Sequence, residues 1–251
     1  MVSAQLVASI LTLLPAMAIL FWILNRYEGY FEQNRLFFAL ILGIFSGLLL
    51  RFLELFLFQF ETAATVMLQG LWLSLLYTAI GYSVLEALAN QAVLGFKKFR
   101  SRKDTPYYGA SLGVGFGAMW SLQVATILVQ PVVSPALVLH PATAAKLLEA
   151  TLMSAGLVMV HAGAAIWVGK GSSDGKLWRG AMIGAFWLMP ALAIYWFIVA
   201  ASPGLLPAAA MAGYGLFVLL QAQTRILETI VPIEVREMVR RERRRNLRKG
   251  T

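Results

Sequence analysis

The chain contains no cysteine. That removes disulfides, thiolate metal sites and cysteine nucleophiles, and it leaves the redox compartment open. Charge is scarce as well: 13% of the 251 residues are charged and 59% are hydrophobic, with a mean hydropathy of +0.73. A soluble domain carries about 25% charged residues. The deficit excludes an ordinary soluble protein and points to a polytopic helical membrane protein. Histidine occurs only at His140 and His161. A hydrolytic metal centre needs about three protein ligands and a separate general base, so it has few residues to draw on here. The patterns GxxxxGK[ST] and HExxH are missing, and so are internal repeats and low-complexity tracts. No Lys or Arg precedes the first apolar run; without the basic region of a secretory signal peptide, that run is expected to be a retained first helix.

Long apolar runs are abundant. Seven can be marked, roughly Gln5 to Leu24, Leu36 to Phe58, Thr65 to Phe96, Tyr107 to Val129, Lys146 to Val168, Arg179 to Ala200 and Leu205 to Ala222. At about 20 residues per crossing, they predict an all-α membrane protein with about seven transmembrane helices in one bundle (1–223). Pro135 and Pro141 are expected to leave the start of the fifth helix irregular. Basic residues alternate from one connection to the next. Arg26 and Arg35, then Lys97, Lys98, Arg100, Arg102 and Lys103, then Lys170, Lys176 and Arg179 are separated by loops without any Lys or Arg. By the positive-inside rule the N-terminus is outside and the C-terminus cytoplasmic, in a cell (inner) membrane. The net charge of +9 gathers in the Lys97–Asp104 turn and the tail (224–251). It therefore points to anionic lipid headgroups rather than nucleic acid. Between Arg225 and Lys249 nine basic and four acidic residues are interspersed with Ile226, Ile230, Ile233, Val235 and Met238. This is either an amphipathic segment lying on the anionic leaflet or a solvated charged tail.

Ionisable groups inside apolar runs are costly, and each is a candidate site. Glu86 lies eleven residues before Lys97 and His161 nine before Lys170, which puts them roughly 16 and 13 Å from the basic ends of their helices. At that shared depth they would form either a working site or a hydrogen-bonded pair fastening two helices. Asn90 sits one turn from Glu86 on the same face. Arg51 and Glu54, three apart, read as a local ion pair. Gly109, Gly113 and Gly117 line one helical face and Gly115 another, suiting close helix packing within the bundle or against a partner's helix. A retinal protein is excluded, because the last run has no lysine.

The stretch NRYEGYFEQNRLFFALILG (Asn25 to Gly43) resembles the opening of the PrsW-type intramembrane proteases, which place R-Y-E-x-x-x-E after their first span. The resemblance implies a metal-dependent site within the membrane. It would be built from a Glu-Glu pair, a small-residue helix ending in Glu-Asn, and two histidines on separate helices. Glu86 falls at the Glu-Glu position but stands between Leu85 and Ala87, and the family's lysine is met by Ala89 or Asn90. YYGASLGVGFGAMWS resembles the small-residue helix, with Trp120 and Ser121 where Glu-Asn belongs. His161 in MVHAGAAIWVG is similar to the first histidine, and Trp187 to Pro190 supplies no second. The same CAAX-protease-like clan includes the Aph subunit of γ-secretase, a seven-helix, N-out scaffold without catalytic activity. The chain is similar to it in helix number, topology and length. It also shares the glutamate before a lysine-rich turn, the glycine-ribbed fourth helix and the histidine in the fifth.

The expectation is accordingly a non-catalytic scaffold or assembly subunit, paired with another membrane protein and needing no cofactor. In that case Glu86 and His161 are a relic or structural pair, with Asn90, Trp120, Ser121 and Gln123 around them. The alternative is an active intramembrane peptidase that uses Glu86 and His161 with a divalent metal such as zinc, further ligands coming from Asn90 or Gln123. A third class, a transporter or channel subunit, would line a polar path with Arg51, Glu54, Gln69 and Gln123.

Overall fold

A computed structural model of the chain describes residues 4–25, 30–58, 72–125, 141–201, 204–237 and 241. Among the described residues are seven long helices: α1 (Ala4–Leu24), α2 (Gln33–Phe58), α3 (Trp72–Leu94), α4 (Thr105–Val124), α5 (Pro141–Ser173), α6 (Leu177–Ala201) and α7 (Leu205–Ala222). Four helical stretches are long and apolar enough to cross a membrane: Gln33–Leu53, Ala144–Ser173, Leu177–Ile198 and Leu205–Ile230. His140, Gln69 and Pro135 lie outside the described residues.

Helix α5 is the axis of the bundle. It packs against α4, α7 and α6 most extensively and also touches α1 and α3; α4 is held in turn between α5 and α2, and α3 lies along α6. α5 starts before the expected Lys146 and runs past Val168. Pro141 does not leave its start irregular but is its first residue, a place where the missing N–H has no intrahelical partner to lose.

Glycine sets the spacing at the axis. A Cβ on Gly113 would run into the carbonyl oxygen of His161 and lie 2.7 Å from the Ala162 Cα. One on Gly109 would strike the Ala165 carbonyl, and one on Gly117 would lie 2.7 Å from the Val158 Cα. Gly115, on the opposite face, meets the Leu40 carbonyl of α2, and Gly43 of α2 meets the Leu112 carbonyl of α4. Both small faces of α4 are thus consumed inside the bundle.

The α3–α4 turn and the start of α2 are tied together at the basic end of the molecule. Beyond Ala222 the last helix continues through a π-helical turn, Gln223–Leu227, into a short α8 (Glu228–Ile230). It stops at Val231, whose extended backbone (ψ 126°) is what the following Pro232 imposes. Ile226, Leu227 and Val231 are buried. The Tyr30 hydroxyl donates to the Ile230 carbonyl at 2.6 Å, so the first residues after the bundle are fastened to it.

Candidate functional site

Glu86 and His161 meet at the centre of the bundle. α3 carries the carboxylate and α5 the ring; both side chains are wholly enclosed, and Nε2 of His161 lies 2.9 Å from Oε2 of Glu86. Trp120 on α4 completes the cluster, its indole Nε1–H donating to Oε1 of Glu86 at 2.8 Å. Phe116 stacks on the imidazole at 5.6 Å between ring centres, and Tyr195 of α6 stands edge-on to Trp120 at 4.8 Å. Four helices therefore build one enclosed cluster.

Hydrogen-bond bookkeeping fixes the protons. Nδ1 of His161 lies 2.7 Å from the Leu157 carbonyl oxygen; a carbonyl only accepts, so Nδ1 carries a hydrogen and donates. Nε2 and Oε2 then share a single proton. Either a protonated Glu86 donates to a neutral ring, or an imidazolium donates to the carboxylate. The pair has zero net charge in both cases. That is the arrangement a low-dielectric interior tolerates, because an isolated buried charge costs far more than a paired one.

The other expected neighbours are placed as follows. Asn90 is buried one turn along α3 with neither amide atom hydrogen-bonded, and Oε1 of Gln123 is likewise without a partner. Neither reaches the Glu86–His161 pair. The Ser121 hydroxyl donates to the Gly117 carbonyl at 3.0 Å. The Arg51 guanidinium lies over Trp120, 5.2 Å from the ring centre, a cation–π contact. Glu54 lies on α2, and its side chain is outside the described residues. Among the described residues no three His, Cys, Asp or Glu side chains converge. The metal that the PrsW-like resemblance implies does not fit the cluster as built. Both ring nitrogens and both carboxylate oxygens already have protein partners, and the apolar Leu85 and Ala87 flank the only carboxylate.

A second polar cluster, at the basic end, escaped the sequence reading. Arg102 bridges Glu32 (2.7 Å) and Asp104 (3.0 Å), and Glu32 also pairs with Arg35 at 2.6 Å. The Tyr108 hydroxyl donates to Oδ2 of Asp104 at 2.5 Å and accepts the backbone N–H of Glu32 at 3.2 Å. Asp104 precedes α4 without capping it through its side chain, because Arg102 and Tyr108 occupy its carboxylate. Burial pushes that carboxyl up, but hydrogen bonds from Arg102 and Tyr108 more than reverse this and leave it below the usual carboxylate range. The guanidinium of Arg102 is held even more firmly protonated, chiefly by Asp104. Two signals were available: Asp104 is the lone acid in KKFRSRKD, and Glu32 closes R-Y-E-x-x-x-E.

Compared with known protein families, curated proteins and solved structures, the chain matches none.

Proposed function

We propose that the chain is a non-catalytic, multi-pass membrane scaffold of the PrsW/CAAX-protease-like kind, and that Glu86, Trp120 and His161 are a clasp joining α3, α4 and α5. Its seven helices would cross a cell (inner) membrane with the N-terminus outside and the basic end in the cytoplasm. There the Lys97–Asp104 turn and the tail would face anionic headgroups, and another membrane protein would be its partner. One observation carries the reading. Every side-chain nitrogen and oxygen of Glu86 and His161 is spent on a protein partner at a place with no exposed surface. A general base must reach its water or substrate, and a metal ligand must present a lone pair; here neither is on offer.

The test is Glu86→Gln. Glutamine keeps an oxygen to accept the Trp120 N–H and offers an N–H to the Nε2 lone pair of a neutral His161. The clasp would survive without a carboxylate. The purified variant is expected to melt close to the wild type and to co-purify from native membranes with the same membrane proteins. Stoichiometric divalent metal in the wild type, lost on His161→Ala, together with accumulation of an uncleaved membrane protein in Glu86→Gln, would make the chain a peptidase and overturn the proposal.

A further inference from the structure

A groove of about 300 Å³ lies between α3 and α6, with neither Glu86 nor His161 in its lining. Ala87 and Ala181 are buried at its floor with Ala185 beside them, while Trp178, Met182 and Phe186 rise along its edge, each more than 60% exposed. Those three recur every fourth residue, so they form one ridge along α6. The sole hydroxyl in the lining, that of Ser83, is turned back onto the Ile80 carbonyl at 2.8 Å. The groove therefore presents an almost wholly apolar surface to an occupant. It also runs to the basic end, where α3 finishes and α6 begins. Lys176 and Arg179 flank Trp178 there, both exposed and neither ion-paired among the described residues. Lys97 follows the end of α3, also exposed.

We propose that this groove binds one anionic phospholipid, with an acyl chain along the alanine floor and the headgroup phosphate held by Lys176 and Arg179. Shape and charge select that occupant. A helix is about 10–12 Å across with its side chains and packs in lipid on small residues presented outward. Here the small residues lie at the bottom of a slot behind a ridge of Trp, Met and Phe, which admits a single hydrocarbon chain. Basic residues at the end of an interhelical pocket suit an anionic headgroup, and the N-terminus of α6 at the same end adds its dipole. The proposal is independent of whether the clasp is catalytic.

Native mass spectrometry of the full chain, in an equal mixture of phosphatidylglycerol and phosphatidylcholine with identical acyl chains, tests it. One phosphatidylglycerol per chain is expected, preferred on the order of 20-fold from two basic contacts. The double substitution Lys176→Glu and Arg179→Glu should abolish the preference while one lipid of either kind is still retained. Ala185→Phe, which fills the slot, should lower retention of both lipids at least about tenfold. Should that variant fail to fold, Met182→Ala opens the ridge at an exposed position and should weaken retention of both lipids. Equal retention of the two headgroups by the wild type, undiminished retention in the groove variants, or a second copy or foreign helix cross-linking to Met182 in their place would each overturn it.

Discussion

Helices α2 and α4 pack side by side, yet they are built from different residues and face different surroundings. α2 is the most apolar of the candidate spans, and only 28% of its Gln33–Leu53 window is buried. α4 is too rich in glycine, serine and tyrosine to count as a span by composition, and sixteen of its twenty residues are buried. α5, with glycines and a histidine along its length, is 78% buried over its window. A soluble protein shows the opposite order. In lipid, bringing two helices together gains no hydrophobic free energy, because the acyl chains are as apolar as leucine. The inner positions go to residues that allow close backbone approach or make a specific hydrogen bond. Apolarity marks the outside, and departures from it mark the axis.

The sharpest way to break the contrast is at Gly113. Its missing Cβ leaves room for the carbonyl of His161 itself, so a side chain there pushes α5 away and drags the imidazole off Glu86. Overpacking costs typically 1–3 kcal/mol and more where backbone must move. Gly113→Val is expected to destabilise by at least about 3 kcal/mol, read as loss of folded, monodisperse protein in detergent.

Next comes the clasp. Glu86→Ala leaves the Trp120 N–H and Nε2 of His161 without partners in a buried interior, and a loss of about 3–5 kcal/mol follows. Glu86→Gln leaves one surplus N–H and should cost no more than about 1.5 kcal/mol. Thermal melts of the two variants side by side measure the gap. If the two melted together far below the wild type, the carboxylate itself would be required and the hydrogen-bond account would be wrong.

Sequence alone went further at the axis than at the ends. Glu86 and His161 stood out because each is an ionisable group in an apolar run, and counting residues back from Lys97 and Lys170 put them at one depth. The glycines of α4 announced a close approach, though not that both faces would be used within the bundle. The role of Trp120 was not legible as chemistry: one indole N–H matters only once the fold brings it within 2.8 Å of a carboxylate. The Glu32–Arg102–Asp104–Tyr108 cluster was hidden for a different reason. Its members lie up to 76 residues apart, among many charges that look alike in a basic loop, and only the packing of α2 on α4 selects which of them pair.

That cluster gives a pH test that the clasp does not. The folded-state pKa of Asp104 lies below its ordinary value near 4. Its contribution is therefore fully present above that ordinary value and disappears as the pH falls through the lower folded value. Between pH 7 and pH 5 any change in the melting midpoint should owe nothing to Asp104, whose contribution stays constant there. Below about pH 4 the wild type should converge on Asp104→Asn, which at neutral pH is expected to be about 1–2 kcal/mol less stable. Arg102 is only a third exposed, so raising the salt concentration should narrow the difference without closing it.

The smallest expected effect tests the outer half of the comparison within a single helix. Leu49 of α2 is 72% exposed and lies on the apolar outer face, while Gly43, six residues earlier, is pressed against the Leu112 carbonyl. Truncating a core leucine leaves a cavity and costs about 2–5 kcal/mol. At Leu49 the lipid flows in behind the lost carbons, and nothing in the protein is left unsatisfied. Leu49→Ala should stay within about 0.5 kcal/mol of the wild type, whereas Gly43→Ala, adding one carbon where Leu49→Ala removes three, should cost at least about 1 kcal/mol. Melts of both variants in the same detergent decide it. A Leu49→Ala loss as large as the Gly43→Ala loss would mean that the outer face of α2 is covered by protein, and that the apolar surface of this helix is an interface rather than a lipid boundary.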